Sequence, residues 1–419
     1  MISGVSGGVA GTTITDGAIN DFLTSSGSLI ITTSTGTGGS GDITVAGDAA
    51  ITWANSSELR FFADRDFIMS GGASIASTGT GDFVVEALRL IQLGSSSQIT
   101  TGAGDISLTA NTLGNTSGNF SGITLEGATL SATSGNISLL GQGGSDALTG
   151  GHSGIQILGG SVVSTTSGNI LVAGTGGSGT YDNFGVSISQ TDTVVSSGSG
   201  TITITGNGAA GATEENNDGI GIDGGARIES VSGDLTLTGV AGGGTAGRNG
   251  VAIYGTGTSV TSTDGLVKID GTGGASSLLS NVGVFLSLSG GVHSETNDVI
   301  IDGVGGQGGI FVLGGASVTA AGGDLSLYGK SLSASYAGIK IDVSTITAGS
   351  GTIHLKGEGG VGSNPIAILG SSDSSTIGSG TETIILDSLL GSVTILNLIS
   401  SNQLQFRDST GTESVAFIA

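Results

Sequence analysis

Four acidic residues sit at places where this chain could assemble chemistry. Asp223 and Asp342 each close a Gly-apolar-x-apolar phrase, and Asp270 and Asp302 occupy equivalent places in successive repeat units. General acid and base work needs two or three carboxylates within several ångströms. Neighbouring β rungs lie about 5 Å apart, so Asp270 and Asp302 are expected within that range. The chemistry such a pair offers is cleavage of a polysaccharide by hydrolysis or elimination. Against it stands a shortage of aromatic platforms for sugar: 11 Phe, 4 Tyr and 1 Trp in 419 residues. No Asp-Asp or His-Gly cluster stands out either. These carboxylates read more plainly as solvated rung edges, and no catalytic residue is nominated.

A second set of polar residues follows glycine at a repeating corner: Asp105, Asn136, Asn169, Asp234 and Asp324. Asx side chains bond local backbone in tight turns and can stack as ladders, which is the role expected here. A calcium column is the alternative. Asn interrupts Asp along it, and the tandem nine-residue Gly-Gly-x-Gly-x-Asp pattern is missing. Surface calcium sites of low affinity are the most this allows, and no metal-ligating or cofactor-binding residue is nominated. His152, His293 and His354 fall at different repeat positions, whereas a metal site needs convergent ligands. Gly242-Gly243-Gly244 lacks the following Gly-Lys-Ser/Thr of a phosphate loop. With no cysteine, disulfide and Cys-based zinc or redox chemistry are excluded. Ten Lys+Arg against 33 Asp+Glu, a net charge of -23, cannot build a basic stripe for nucleic acid or an anionic membrane.

The elements that must position these residues are written in three recurring phrases. One is Gly-Asp/Asn followed by apolar/polar/apolar, as in Gly135-Asn136-Ile137-Ser138-Leu139 and Gly233-Asp234-Leu235-Thr236-Leu237. Another is Gly-apolar-x-apolar, beginning at Gly122, Gly154, Gly185, Gly219, Gly250, Gly283, Gly309 and Gly338, which are 32, 31, 34, 31, 33, 26 and 29 residues apart. Pro365-Ile366-Ala367-Ile368 reads as its next member, with the only proline replacing glycine. The third is an apolar residue followed by Ser or Thr, such as Leu130-Ser131 and Val260-Thr261-Ser262. Each is a short strand with period-2 alternation, too small to bury its face alone. Stacked copies bury a continuous core.

The fold expected is therefore all-β: a right-handed single-stranded parallel β-helix (β-solenoid), with three short strands per coil. Handedness is taken by analogy with parallel crossovers. About 12–14 coils would make a rod of about 60–65 Å. Apolar residues point inward, Ser and Thr outward or along the stack, and glycine supplies positive φ at the turns. Variable length is confined to glycine-rich excursions such as Gly174–Gly179 and Gly206–Gly211, expected to line up as a flexible ridge; a partner, if the chain binds one, is expected on this ridge or on the flat face beside it. Residues 1–100 read as less regular coils containing Trp53, Phe61 and Phe62, residues 101–370 as regular repeats, and residues 371–419 as drifting coils. The apolar run Val393–Ile399 and the lack of a basic n-region at Met1 point to a segment of a longer protein. No stretch approaches 18 uninterrupted apolar residues, so membrane insertion by a helix is not expected.

Gly41-Asp42-Ile43-Thr44-Val45-Ala46, Asp64-Arg65-Asp66-Phe67-Ile68-Met69 and Ala73-Ser74-Ile75-Ala76-Ser77-Thr78-Gly79, with the Ser-Gly-Asn/Asp-Ile-Ser-Leu rungs, resemble filamentous-haemagglutinin-type β-helical exoproteins. The likeness is one of repeat style and runs along the whole chain. The family's N-terminal export domain and outer-membrane barrel are not recognisable. The resemblance implies a secreted or outer-surface protein of a Gram-negative bacterium, exported by two-partner secretion or as an autotransporter passenger. It implies adhesion or display, with a host-cell, glycan or matrix ligand, and carries no catalytic residue. Two other expectations stand beside it: a β-helical polysaccharide-active hydrolase or lyase, and a rod that self-associates end to end through uncapped rungs.

Overall fold

The computed structural model describes residues 13–33, 40–114, 116–245, 247–276, 281–333, 335–361, 366–370, 375–395 and 403–408. The chain winds as a parallel β-solenoid with three strands per coil. Strands of the Gly-Asp/Asn phrase build sheet A (14 strands), those of the Gly-apolar-x-apolar phrase sheet B (13), and those of the apolar-Ser/Thr phrase sheet C (12). Fourteen strands at about 4.8 Å span roughly 62 Å. Along most of the rod each strand pairs in register with the equivalent strand one coil on: Ile106 with Ile137, Ile123 with Ile155, Leu130 with Val163. The alternating apolar residues of all three sheets meet in one continuous core, where Ile137, Leu139, Ile155, Ile157 and Val163 are fully buried. In the first coils the core is filled by aromatics instead, with Phe61 packed 5.2 Å from Phe67 and 6.1 Å from Phe83.

The corners show why glycine is so abundant. At the turn from sheet B to sheet C, Gly224 and Gly225 take φ of +63° and +91°, as expected of glycine. At the turn from sheet C to sheet A the reason is different. Gly104, Gly135, Gly168, Gly200 and Gly233 have no positive φ; a Cβ on any of them would collide with the carbonyl of the preceding glycine in the column. A second column, Gly174, Gly206, Gly239 and Gly271, interlocks with Gly185, Gly219, Gly250 and Gly283 at the corner from sheet A to sheet B. Glycine here makes room for backbone between rungs.

Two polar devices lock the sheet C to sheet A corner. Ser197, Ser262 and Ser294 point inward and are buried, a placement beyond the outward or along-the-stack ones expected for Ser and Thr. Ser197 Oγ donates to Gly168 O (3.2 Å) and accepts from Gly200 N (2.9 Å). The Asx ladder runs between rungs and not within a turn: Asp105 N donates to Asp82 Oδ1 (2.8 Å), Asn136 N to Asp105 Oδ1 (2.7 Å), Asn169 N to Asn136 Oδ1 (2.9 Å) and Thr201 N to Asn169 Oδ1 (2.9 Å).

The N-terminal end carries a helix that the strand periods conceal. Helix α1 (Asp16–Ser25) starts at Thr15, whose hydroxyl accepts from Ala18 N, and buries Ile19 and Leu23. Its Asp16 and Asn20, one turn apart, reach the first strand of sheet C, Ala50–Trp53. Asp16 Oδ2 accepts from Ala50 N (3.1 Å), Asn20 Oδ1 from Thr52 N (2.8 Å), and Asn20 Nδ2 donates to Ala50 O (3.1 Å). The helix thus satisfies an edge that would otherwise pair with another chain.

Toward the C-terminus the register corrects one assignment. Ile339 pairs with Ile368, so Ala367, and not Pro365, takes the place of Gly338. The corner confirms it: a Cβ on Gly357 would meet Ala367 O just as one on Gly329 would meet Gly338 O. Pro365 itself lies outside the described residues. Register shifts accompany this coil, between Gly357 and Glu358 and between Ile366 and Ile368. An alanine methyl at a backbone-packed corner is a physical cause for them. Of the apolar run 393–399, only Val393–Ile395 falls within the described residues.

Candidate functional site

The strands of sheet A are long because their glycine column carries them to the corner, and their outer face is one continuous surface. Down its centre runs a single register column: Phe62, Glu86, Thr109, Leu140, Ala173, Thr205, Thr238, Asp270, Asp302, Tyr328, Lys356 and Asp387. Its middle is bland. Titratable groups gather from Asp270 onward.

Asp270 and Asp302 are paired on adjacent rungs, as the spacing predicts. They lie within strands Val267–Thr272 and Val299–Gly305, on the flat of the sheet and not at a rung edge, because Gly271 and Gly303 extend each strand past them. Lys268 Nζ sits 2.9 Å from Asp270 Oδ2. Burial pushes the Asp302 carboxyl up, reinforced by the charge and hydrogen bond of Asp270 and opposed by Lys268. Next in line, Tyr328 Oη donates to Glu358 Oε2 (3.0 Å), and burial with that acceptor lifts the phenol to about 12. Lys330 pairs with Glu358 (2.7 Å), and Lys356 Nζ stands 5.4 Å over the Tyr328 ring. His354 Nε2 approaches Asp387 Oδ2 at 3.6 Å.

This arrangement can hold a proton between two carboxyls. Glycosidic acid–base work places its two carboxyls on either side of the bond, whereas Asp270 and Asp302 share one face of adjacent rungs. The other candidates do not join it. Asp223 accepts the Tyr254 hydroxyl (2.8 Å), and Asp342 ends a strand of sheet B, on a different face of the coil that carries Tyr328. His293 pairs with Glu295 on sheet C (3.1 Å), and His152 is buried against Thr149 (3.0 Å). Among the described residues no three His, Asp or Glu side chains group as metal ligands.

The glycine-rich excursions form a packed second layer, not a loose ridge. Gly176 N bonds Asn207 O (2.8 Å), Gly242 N bonds Asn217 O (2.7 Å) and Gly243 N bonds Ala209 O (2.8 Å). A buried amide column runs inside it: His152 N donates to Asn183 Oδ1 (3.0 Å) and Asn183 N to Asn217 Oδ1 (3.1 Å). Beside it lies Asp218, 5% exposed, whose carboxylate accepts from Asn249 N (2.6 Å). Burial lifts Asp218 to about 7, against the Asn249 bonds and aided by the charge of Asp182. Apart from His152, weighed above as a metal ligand, these residues have no mark in the sequence, where they appear as scattered polar residues among glycines. A polar residue two positions before the five Gly-apolar-x-apolar phrases from Gly154 to Gly283 (His152, Asn183, Asn217, Arg248, Asn281) is the signal the sequence offers.

No protein-family model, curated protein or solved structure matches this chain. No helix among the described residues is long and apolar enough to cross a membrane.

Proposed function

We propose that this chain is a non-enzymatic rod displayed at, or released from, the outer surface of a Gram-negative bacterium. It would be a repeat segment of a filamentous-haemagglutinin-type or autotransporter-passenger-like exoprotein, serving as adhesin, stalk or matrix component. The observation that carries this reading is the division of labour between columns. Core and corner columns repeat from rung to rung, while the charged groups of sheet A are occupied by their own neighbours: Lys268 by Asp270, Lys330 and Tyr328 by Glu358. A surface so satisfied serves extension and presentation better than turnover. The absence of cysteine and the acidic balance are in keeping with passage through an oxidising envelope. Antibody labelling of intact, unpermeabilised cells tests display, and negative-stain microscopy of the purified chain tests its form. Surface label and rods of roughly 60 Å are expected. Label that appears only after permeabilisation refutes the display.

One observation favours a second reading, a β-helical polysaccharide hydrolase or lyase: the raised Asp302 carboxyl lies against Asp270 and beside Tyr328. Release of reducing ends or unsaturated products from a uronate polymer, lost in Asp302→Asn, would decide for the enzyme. No product from the purified chain leaves the rod.

A further inference from the structure

A groove of about 320 Å³ opens near the N-terminal end, where the excursion after strand Ile106–Ala110 overhangs the outer face of sheet A. Phe62, Glu86 and Thr109, from three successive strands, form its floor. Asp64, Arg65, Arg89, Asn111 and Leu113 contribute to its walls. Of the ten Lys and Arg in this acidic chain, Arg65 and Arg89 face one cavity.

Both arginines are held in place before any ligand arrives. Arg65 Nε donates to Asp42 Oδ1 (2.6 Å), and its Nη2 pairs with Asp42 Oδ2. Arg89 Nη1 donates to Asp66 Oδ2 (3.0 Å), and its guanidinium stacks 5.1 Å over the Phe120 ring. A guanidinium has five N–H donors, and neither arginine spends all of its own on these partners. Asn111 supplies the complementary feature. It is 2% exposed, with φ of +51°, and its Nδ2 gives both protons, to Gln142 O (3.1 Å) and Gly143 O (3.1 Å). Those two bonds fix the amide orientation, so Oδ1 is the acceptor, and it is buried without a partner. A buried unpaired acceptor is costly, and a ligand donor relieves that cost.

We propose that this groove is a binding site for an acidic sugar residue. Its carboxylate would meet the free edges of Arg65 and Arg89, a hydroxyl would donate to Asn111 Oδ1, and its C–H face would rest on Phe62 and Leu113. The lining selects this class. The N–H groups that Arg65 and Arg89 do not spend on Asp42 and Asp66 can take a further carboxylate, while the lining carboxylates Asp64 and Glu86, the latter also bonded by Arg60 Nη1 (3.0 Å), and Asn111 Oδ1 face a ligand's donors at separate points. A polyhydroxylated acid supplies both within one ring, whereas an acidic peptide supplies one N–H per residue. The proposal does not depend on the display of the rod: an empty groove would leave that reading intact.

Isothermal titration of the full chain with tri-galacturonate, its neutral methyl ester and tri-glutamate tests it. The expected result is binding of tri-galacturonate, at least about tenfold weaker for the neutral ester and for tri-glutamate. Arg65→Met should weaken it about 10–100-fold, the loss of a charge-assisted bond. Leu113→Arg, at a position 77% exposed, should change affinity without changing the circular dichroism of the fold. The proposal is overturned by any of three results: no heat with tri-galacturonate at millimolar concentration, equal binding by the neutral ester, or tighter binding of tri-glutamate. Binding that persists unchanged in both variants places the sugar elsewhere and overturns it as well.

Discussion

Asp218 gives the solenoid a local pH dependence of definite sign. Its carboxyl is buried in the excursion layer, and its two recorded bonds both come from Asn249, at 2.6 Å from N and 3.5 Å from Nδ2. The groups around it do not neutralise it. Asp182 adds repulsion, Asp223 is taken up by the Tyr254 hydroxyl, and Arg248 turns its guanidinium to Asn281 Oδ1 (3.0 Å). The folded chain therefore holds a proton here up to about 7, against 3.8 for a free carboxyl. Because the folded state binds the proton more tightly, the stability it confers is complete below about pH 4 and is lost as pH rises through about 7. Some three pH units at about 1.4 kcal/mol each set an upper bound of about 4 kcal/mol. In a repeat protein that energy belongs to the coil concerned, not to the whole rod. Hydrogen exchange, corrected for intrinsic rates, reads it directly: the amides of 217–222 and 249–253 should open more easily at pH 8 than at pH 5, while those of 123–139 change less. Asp218→Asn keeps the acceptor for Asn249 N and removes the titration, so its protection should be flat across the same range and higher than wild type at pH 8. The net charge of -23 also weakens the fold as pH rises, and the variant separates the two effects. A wild-type coil whose protection does not change between pH 5 and pH 8, or a variant with the same slope, refutes the reasoning.

Two further outcomes follow from corners and ends. Gly200→Ala, whose Cβ would land on the Gly168 carbonyl, should cost at least about 2–3 kcal/mol in urea unfolding. Gly17→Ala, in helix α1 with nothing near its Cβ, should instead gain about 0.5–1 kcal/mol; a neutral Gly200→Ala would remove the claim that these glycines make room for backbone. Removing the cap with Asp16→Ala and Asn20→Ala deletes three bonds to the edge strand and should loosen it locally. Amide exchange at Ala50 and Thr52 should rise, and light scattering should show association that grows with concentration; unchanged protection would show that the helix does not guard that edge.

What could be read from the sequence was whatever repeats along the chain. The apolar pairs of Ile137 and Leu139, or Ile155 and Ile157, announce strands because period 2 is a local property. The adjacency of Asp270 and Asp302 follows because both hold the same place in their phrases. What stayed hidden depends on the next rung. Gly104 and Gly168 look like turn glycines, and only the carbonyl stacked on them shows that space, not φ, is what they supply. Helix α1 hid because only Ile19 and Leu23 are buried among its ten residues, too sparse a stripe to stand out beside strands. Pro365 stands where a glycine does when the phrase is aligned by residue type, while the structure aligns by corner.

The same logic leaves the groove without a signature in the sequence. Arg65, Arg89 and Asn111 are separated by 24 and 22 residues and share no motif, but each follows the end of a sheet A strand on successive coils. In a solenoid the neighbours of a residue are its column mates, so chemistry appears where a column departs from its own habit. The central column of sheet A passes from Phe62 and Glu86 through Leu140, Ala173, Thr205 and Thr238 before reaching Asp270 and Asp302. Its bland middle shows what the rod needs in order to stand. Its two ends carry side chains the fold does not require, and there a sheet that only had to stack could acquire something to bind.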